Sequence, residues 1–329
     1  MKTFINVNAR DMKHAATLAA QARSQGQVAA ISGGGSDLLG MVKERIVEPD
    51  VLVNLRSVKG NDQVTASSSG VTIGGLITLE ALSQHATIKR DYAVLAEAAS
   101  TVATPQIRNF GTLAGNVCQR PWCWYYRNGF KCYKAGGNQC FSINGENQFH
   151  AILGGGPSFI VHPSDTASAL VALGATFHLT SVSGERTLTA ADFFVLPKQN
   201  ATHENALRDD ELLASVSLPV PRPGTRSLFH KVMDREAWTH AVVSTAIVLE
   251  MDGAICKEAR IVLGGVAPIP WRVPQAERLL AGQRVTAELV QRVADAALTG
   301  ANPLAKNAYK IPLTKSILQR SLLDAMAKA

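Results

Sequence analysis

The sequence predicts an α+β chain of more than one domain, on three observations: a strand–helix–strand opening that runs into a glycine loop, a proline-rich break close to residue 219, and a final stretch that passes from strands to helices. Phe4, Ile5 and Val7 make an apolar start. From Asp11 onward, Met12, Ala15, Ala16, Leu18, Ala19 and Ala22 recur at helical spacing, and residues 28–31 form a short buried strand. That strand ends in Ser32-Gly33-Gly34-Gly35-Ser36-Asp37-Leu38-Leu39-Gly40. A second region opens near Val58, with strands around Val64, Val71 and Ile73, a helix capped at Thr78 and running to Gln84, and a further helix over residues 92–103. The clearest boundary is Leu218-Pro219-Val220-Pro221-Arg222-Pro223-Gly224, because prolines at every second position suit neither a helix nor a central strand. Beyond it, residues 241–251 and 259–263 read as strands, and helices follow from Pro274. The expected divisions are 1–57, 58–218 and 225–329, with no internal repeat.

At 329 residues, 46% hydrophobic and 18% charged, the chain can bury several cores and is not a disordered protein. No window approaches the roughly 20 apolar residues of a membrane helix, so no membrane span is expected. The first ten residues break their apolar run at Asn6, so no export signal is expected either. The net charge is +7, but its Lys and Arg residues are scattered without a basic run, which argues against nucleic acid and for an acidic partner.

Three consecutive glycines after a buried strand allow positive φ, and their amides can face phosphate oxygens; a tight turn without a ligand is the plain alternative. The residues Gly35-Ser36-Asp37 exclude a Walker A loop, and the glycine spacing is not that of a Rossmann fingerprint. A second such segment runs from Thr104 to Asn116, and offers the Thr112 hydroxyl and the Asn116 amide. Two glycine loops in one domain point to a large ligand with a pyrophosphate, a dinucleotide above all. Of five cysteines, Cys118, Cys123, Cys132 and Cys140 fall close together in a segment rich in Trp, Tyr and Phe, while Cys256 stands far away. Either two local disulfides or one metal site would account for such clustering; the spacing lacks the short Cys-x2-Cys pairs of a zinc ribbon, and four thiols are what a cubane cluster needs. Cys256 reads as an ordinary small buried residue.

Ser32 to Lys43, Gln106 to Asn116, His162-Pro163-Ser164-Asp165 with Ala169 to Ala175, then Phe229-His230-Lys231-Val232, Ala241-Val242-Val243-Ser244 and Gly264-Gly265-Val266-Ala267-Pro268 follow one another in the chain. In that order they resemble the successive motifs of the FAD-binding subunits of the xanthine dehydrogenase and carbon monoxide dehydrogenase family. The resemblance implies a two-part FAD-binding domain of the vanillyl-alcohol-oxidase/CO-dehydrogenase flavoprotein type and a C-terminal α+β domain of short antiparallel sheet and helices. It places the FAD pyrophosphate on Ile31, Ser32, Gly33, Gly34, Gly35, Ser36, Asp37 and Leu38. Ala103, Thr112, Gly115 and Asn116 would lie along the rest of the cofactor, Asp165 would bond its ribose or adenine end, and Leu213 and Lys231 would help close the site. On the residues alone, Asp165 could instead cap the helix after it, and Lys231 could be a surface cation.

The segment at about 117–150 resembles an insertion in the flavin subunits of periplasmic aldehyde oxidoreductases and, more distantly, of 4-hydroxybenzoyl-CoA reductase. That resemblance implies a 4Fe-4S cluster on Cys118, Cys123, Cys132 and Cys140. Relatives of this kind often carry a cysteine just before His-Pro-Ser-Asp, where this chain has Ser158, so Cys118 is expected to serve in its place. The implied function is electron transfer: a large molybdopterin subunit oxidises an aldehyde or N-heterocycle, a small subunit passes electrons through 2Fe-2S clusters to FAD held here, and an external acceptor takes them. The chain itself would supply no catalytic residue to the organic substrate. A cytoplasmic location, or a periplasmic one by export with a signal-bearing partner, fits equally. The rivals are a free-standing FAD oxidase and an iron–sulfur scaffold without flavin.

Overall fold

The computed structural model describes residues 1–327. Its architecture is α+β, in three sheets each with its own hydrophobic core. The first sheet is parallel, in the order β1 (Ile5–Asn8), β3 (Val51–Asn54), β2 (Ala29–Ser32). Parallel pairing demands a crossover, supplied by the helix Met12–Ser24, whose N-cap Asp11 accepts a 2.7 Å bond from the His14 amide. Ala15, Ala16 and Ala19 are wholly buried on that helix, and such small side chains let it approach the sheet closely.

The second sheet is antiparallel, in the order β4 (Val64–Ser67), β5 (Gly70–Gly74), β8 (Leu212–Pro219), β6 (Thr176–Thr180), β7 (Glu185–Thr189). Helices Leu79–Gln84, Ala93–Ser100 and Asp165–Ala172 cover it, and Phe177 packs edge-on against Phe193 with ring centres 4.8 Å apart. Each of those two rings is fully buried, so truncation to Ala would cost about 3–5 kcal/mol. The third sheet, also antiparallel, runs β12 (Trp271–Arg272), β11 (Ile255–Gly264), β10 (Val243–Asp252), β9 (Thr225–Val232), with β13 (Gln283–Arg284) also paired to β11. Helices Pro274–Leu280, Ala287–Ala297 and Lys310–Ala327 close its apolar face. Cys256 is buried in this core, as a small apolar residue would be. No helix among the described residues is long and apolar enough to cross a membrane.

Between residues 117 and 164 the chain is mostly irregular, with only the short helix Trp124–Arg127 and one 3-10 turn at Tyr133–Ala135. Polar anchors hold it in place of an apolar core. Lys134 and Arg120 meet the carboxylate of buried Glu204 at 2.8 and 3.0 Å, and the Arg127 guanidinium reaches Asp37 at 2.8 Å.

Candidate functional site

The two glycine loops meet. A methyl group built on Gly33 would stand 2.7 Å from Thr112 Oγ1, and one on Gly34 would overlap the Phe110 carbonyl oxygen. Of the three glycines only Gly35 takes positive φ, at 76°; Gly33 and Gly34 are required by the close approach of the second loop. Thr112 caps the helix Leu113–Val117 by accepting from the Gly115 amide at 3.2 Å. Asn116 Oδ1 then accepts from Ser164 Oγ and Thr166 Oγ1, both at 2.6 Å, and ties this loop to the start of helix Asp165–Ala172.

The cap of that helix is Ser164, which leaves Asp165 free for another task. Lys231 is no surface cation: from β9 it donates to Asp165 Oδ2 at 2.7 Å and to the Thr101 carbonyl at 2.9 Å, with both side chains buried. Burial pushes the Asp165 carboxyl above its ordinary range, against the pull of the Lys231 ammonium. Ala103 has φ of 46°, unusual for a residue with a Cβ, and its carbonyl accepts from the Trp238 amide at 3.0 Å, joining this part of the chain to a loop beyond the proline-rich stretch. Leu213 lies within β8 in the central core, and Ile31 packs against the N-terminal core. Asp37 is turned from its loop toward the cysteine segment, accepting from Arg127 Nη2 and, at 3.4 Å, from the Arg120 amide.

Beside Asp165 opens a cavity of about 640 Å³, lined among others by Trp122, Arg127, His162, Asp165, His240 and Gly265. Arg127 lies over the Trp122 ring at 4.4 Å and so links cavity, cysteine segment and glycine loop. Its histidines are neutral: burial pushes His162 down to about 3 and His240 down to about 4. His162 Nδ1 accepts from the Ser164 amide at 3.3 Å, which leaves the proton on Nε2, a buried atom without a partner among the described residues.

The cysteines are all free thiols, which removes the disulfide reading. Burial pushes the Cys123 thiol up to about 11, and Cys132 and Cys140 lie near enough to add to the rise. Cys123 Sγ is 3.4 Å from His150 Nε2, and Cys140 Sγ is 3.1 Å from Ser142 Oγ. Tyr125, Phe130 and Phe141 pack together in the same segment. Cys118 packs against the central core after helix Leu113–Val117, where burial pushes its thiol up to about 12. The apolar helix Leu113–Val117 feeds the chain into that core and draws the thiol with it. Ser158 is buried in the irregular stretch that follows, where the Ala151 amide donates to the Phe159 carbonyl at 2.9 Å. Among the described residues no group of three or more His, Cys, Asp or Glu side chains is placed to hold a single metal ion.

Residues 3–221 match the family model of the FAD binding domain in molybdopterin dehydrogenase, and residues 229–325 match that of the CO dehydrogenase flavoprotein C-terminal domain. The chain belongs to the FAD-binding subunits of the xanthine and CO dehydrogenase family. The aldehyde oxidoreductase FAD-binding subunit PaoB of Escherichia coli is 35% identical over 301 residues, which is 90% of this chain and 91% of that one. The carbon monoxide dehydrogenase medium chain of Hydrogenophaga pseudoflava is 26% identical over 92% of this chain and 91% of its own. A solved carbon monoxide dehydrogenase from the same organism superposes with a TM-score of 0.78 at 25% identity, covering 98% of this chain and 97% of that one. In this flavin subunit, sequence reasoning missed Arg127, His150 and His240, and named His162 only as part of a motif. Only the aromatic richness of the cysteine segment marked the neighbourhood of the first, and a lone histidine carries no signal of its own.

Proposed function

We propose that the chain is the electron-transferring FAD subunit of a molybdenum hydroxylase, assembled with a molybdopterin-binding large subunit and a small subunit carrying 2Fe-2S clusters. The observation that carries this reading is the contact of the two glycine loops, tied through Asn116 to the start of the helix that bears a buried carboxylate–ammonium pair. The residues fit the cofactor. Side chains at Gly33 and Gly34 would fill the narrow space between the loops, and Asp165 offers a buried acceptor to a ribose hydroxyl. FAD bound there would supply the redox chemistry that accepts electrons from iron–sulfur clusters and passes them to an external acceptor.

The chain's own residues bind and orient. The loop amides of Ser32 to Leu38 would face the phosphate oxygens, Thr112 and Asn116 hold the second loop in register, and Lys231 keeps Asp165 in place. The same reading includes a 4Fe-4S cluster in the cysteine segment. Cys118, Cys123, Cys132 and Cys140 would hold it, and what supports this is that all four are free thiols within one stretch of the sequence. The similarity to the PaoB subunit of an aldehyde oxidoreductase favours an aldehyde as the assembly's substrate.

The test is co-expression with the neighbouring subunits. The assembly should bleach its flavin band on addition of an oxidisable aldehyde, while the isolated FAD-loaded chain should not. Bleaching of the isolated chain by the aldehyde would favour the free-standing oxidase instead.

A further inference from the structure

Among the described residues that line the cavity of about 640 Å³, Arg127 is the only Lys or Arg, and its side chain is just 6% exposed. Its three nitrogens are engaged unequally. Nε donates to the Pro121 carbonyl at 2.9 Å, and Nη2 donates to Asp37 Oδ1 at 2.8 Å and to the Arg120 carbonyl at 3.0 Å. Nη1 is buried and has no hydrogen-bond partner among the described residues. An unpaired buried donor is costly, the more so when it carries charge, so this nitrogen fits an acceptor that the chain itself does not supply.

A second unspent donor stands in the same wall. His162 Nε2 carries the ring proton, because Nδ1 accepts from the Ser164 amide at 3.3 Å, and it too is buried without a partner among the described residues. The acids of the wall do not cancel the guanidinium. Glu44, Glu146 and Asp234 are exposed, where solvent screens them, and Asp165 is matched by Lys231. Arg127 lies over the Trp122 ring at 4.4 Å, and His240 packs on the same ring with centres 5.3 Å apart. One cation, one neutral donor and an aromatic surface suit a planar ring with oxygen acceptors on its edge.

We propose that Arg127 is a cationic hydrogen-bond donor to the flavin ring of bound FAD, with His162 as its neutral companion, and that it favours the reduced ring over the oxidised one. The proposal rests on the FAD reading made above. Two electrons, delivered by the iron–sulfur clusters of the partner subunit, and one proton from solvent leave the ring with one negative charge, while the guanidinium stays protonated throughout. A fixed cation at the ring's edge stabilises that charge and so raises the flavin's reduction potential. The same guanidinium grips Asp37 on the glycine loop, so one side chain of the cysteine segment would serve both the pyrophosphate and the ring.

The experiment is calorimetric titration of the full chain, freed of flavin, with ADP, with oxidised FAD and, without oxygen, with chemically reduced FAD. ADP has the pyrophosphate and no flavin ring, so it reports the loop alone. Wild type should bind reduced FAD more tightly than oxidised FAD. Arg127→Gln should weaken reduced FAD on the order of tenfold more than oxidised FAD, the size of one lost charged hydrogen bond. Asp37→Asn breaks the same ion pair but leaves the cation, so it should weaken all three ligands by a like factor and keep the preference for reduced FAD. Equal binding of the two forms of FAD by wild type overturns the proposal without recourse to a variant, and so does an equal loss of all three ligands in Arg127→Gln; in both cases the FAD site itself stands. A wild-type chain that binds neither form of FAD overturns the FAD reading and the proposal together.

Discussion

Gly34 and Gly35 are neighbours under different constraints. Gly35 needs its glycine for a φ of 76°, so Gly35→Ala should cost about 1 kcal/mol with little change in flavin content. At Gly34 a methyl group would overlap the Phe110 carbonyl oxygen, so Gly34→Ala must push the two loops apart. Flavin released on heating should fall severalfold in the second variant and stay near wild type in the first. The sequence made positive φ the reason for all three glycines; which one needs it was not readable, because the second loop arrives from residues 110–112. The pH response at His162 follows from its burial. Its pKa is about 3 in the fold against 6.5 when free, so below pH 6.5 the unfolded chain takes up the proton that the folded chain refuses. Stability should therefore fall as pH drops from about 6.5 toward 3, by up to about 1.4 kcal/mol per unit from this residue. Urea midpoints at pH 7.5 and 5 should lie closer together in His162→Gln than in wild type.

The regular elements were largely legible. The helix Met12–Ser24 announces itself by alanines at helical spacing behind a capping Asp11, and β10 and β11 by their continuous apolar runs. The cysteine segment was legible as a gathering of thiols but not as a structure. What positions it are ion pairs across long stretches of chain: Arg127 with Asp37, and Lys134 and Arg120 with Glu204. No local pattern encodes such pairs, and no apolar periodicity marks which cysteine turns to the core. The Arg127–Asp37 pair is the link between cysteine segment and glycine loop, so Arg127→Ala should loosen both. Breaking a largely buried pair costs about 3–5 kcal/mol, and here solvent reaches Asp37 enough to place the loss at or below the lower bound. Limited proteolysis should find a new cut between residues 128 and 148, accompanied by loss of flavin.

Across the whole molecule the proline-rich stretch reads as a break, yet the parts on either side share one site. Lys231 of β9 reaches Asp165, Trp238 reaches Ala103, the Phe229 amide donates to Glu97 at 2.7 Å, and Lys310 clamps the loop at His150. Folding of the site therefore depends on the docking of the C-terminal domain. Lys231→Met should destabilise the chain by about 3–5 kcal/mol by leaving Asp165 buried and unpaired, and Asp165→Asn added to it should recover most of that loss. Chemical denaturation of the two variants decides it. The family was legible from motifs that span the chain, whereas the cavity was not, since its walls come from segments more than a hundred residues apart. The central claim, that this fold exists to hold FAD, is tested most directly by the flavin stoichiometry of the purified chain, read from the absorbance of flavin released by heat from a protein shown to be folded by circular dichroism. The account predicts one FAD per chain, displaced in competition by ADP through the pyrophosphate loops; a folded chain that carries no flavin and binds none on titration would contradict it.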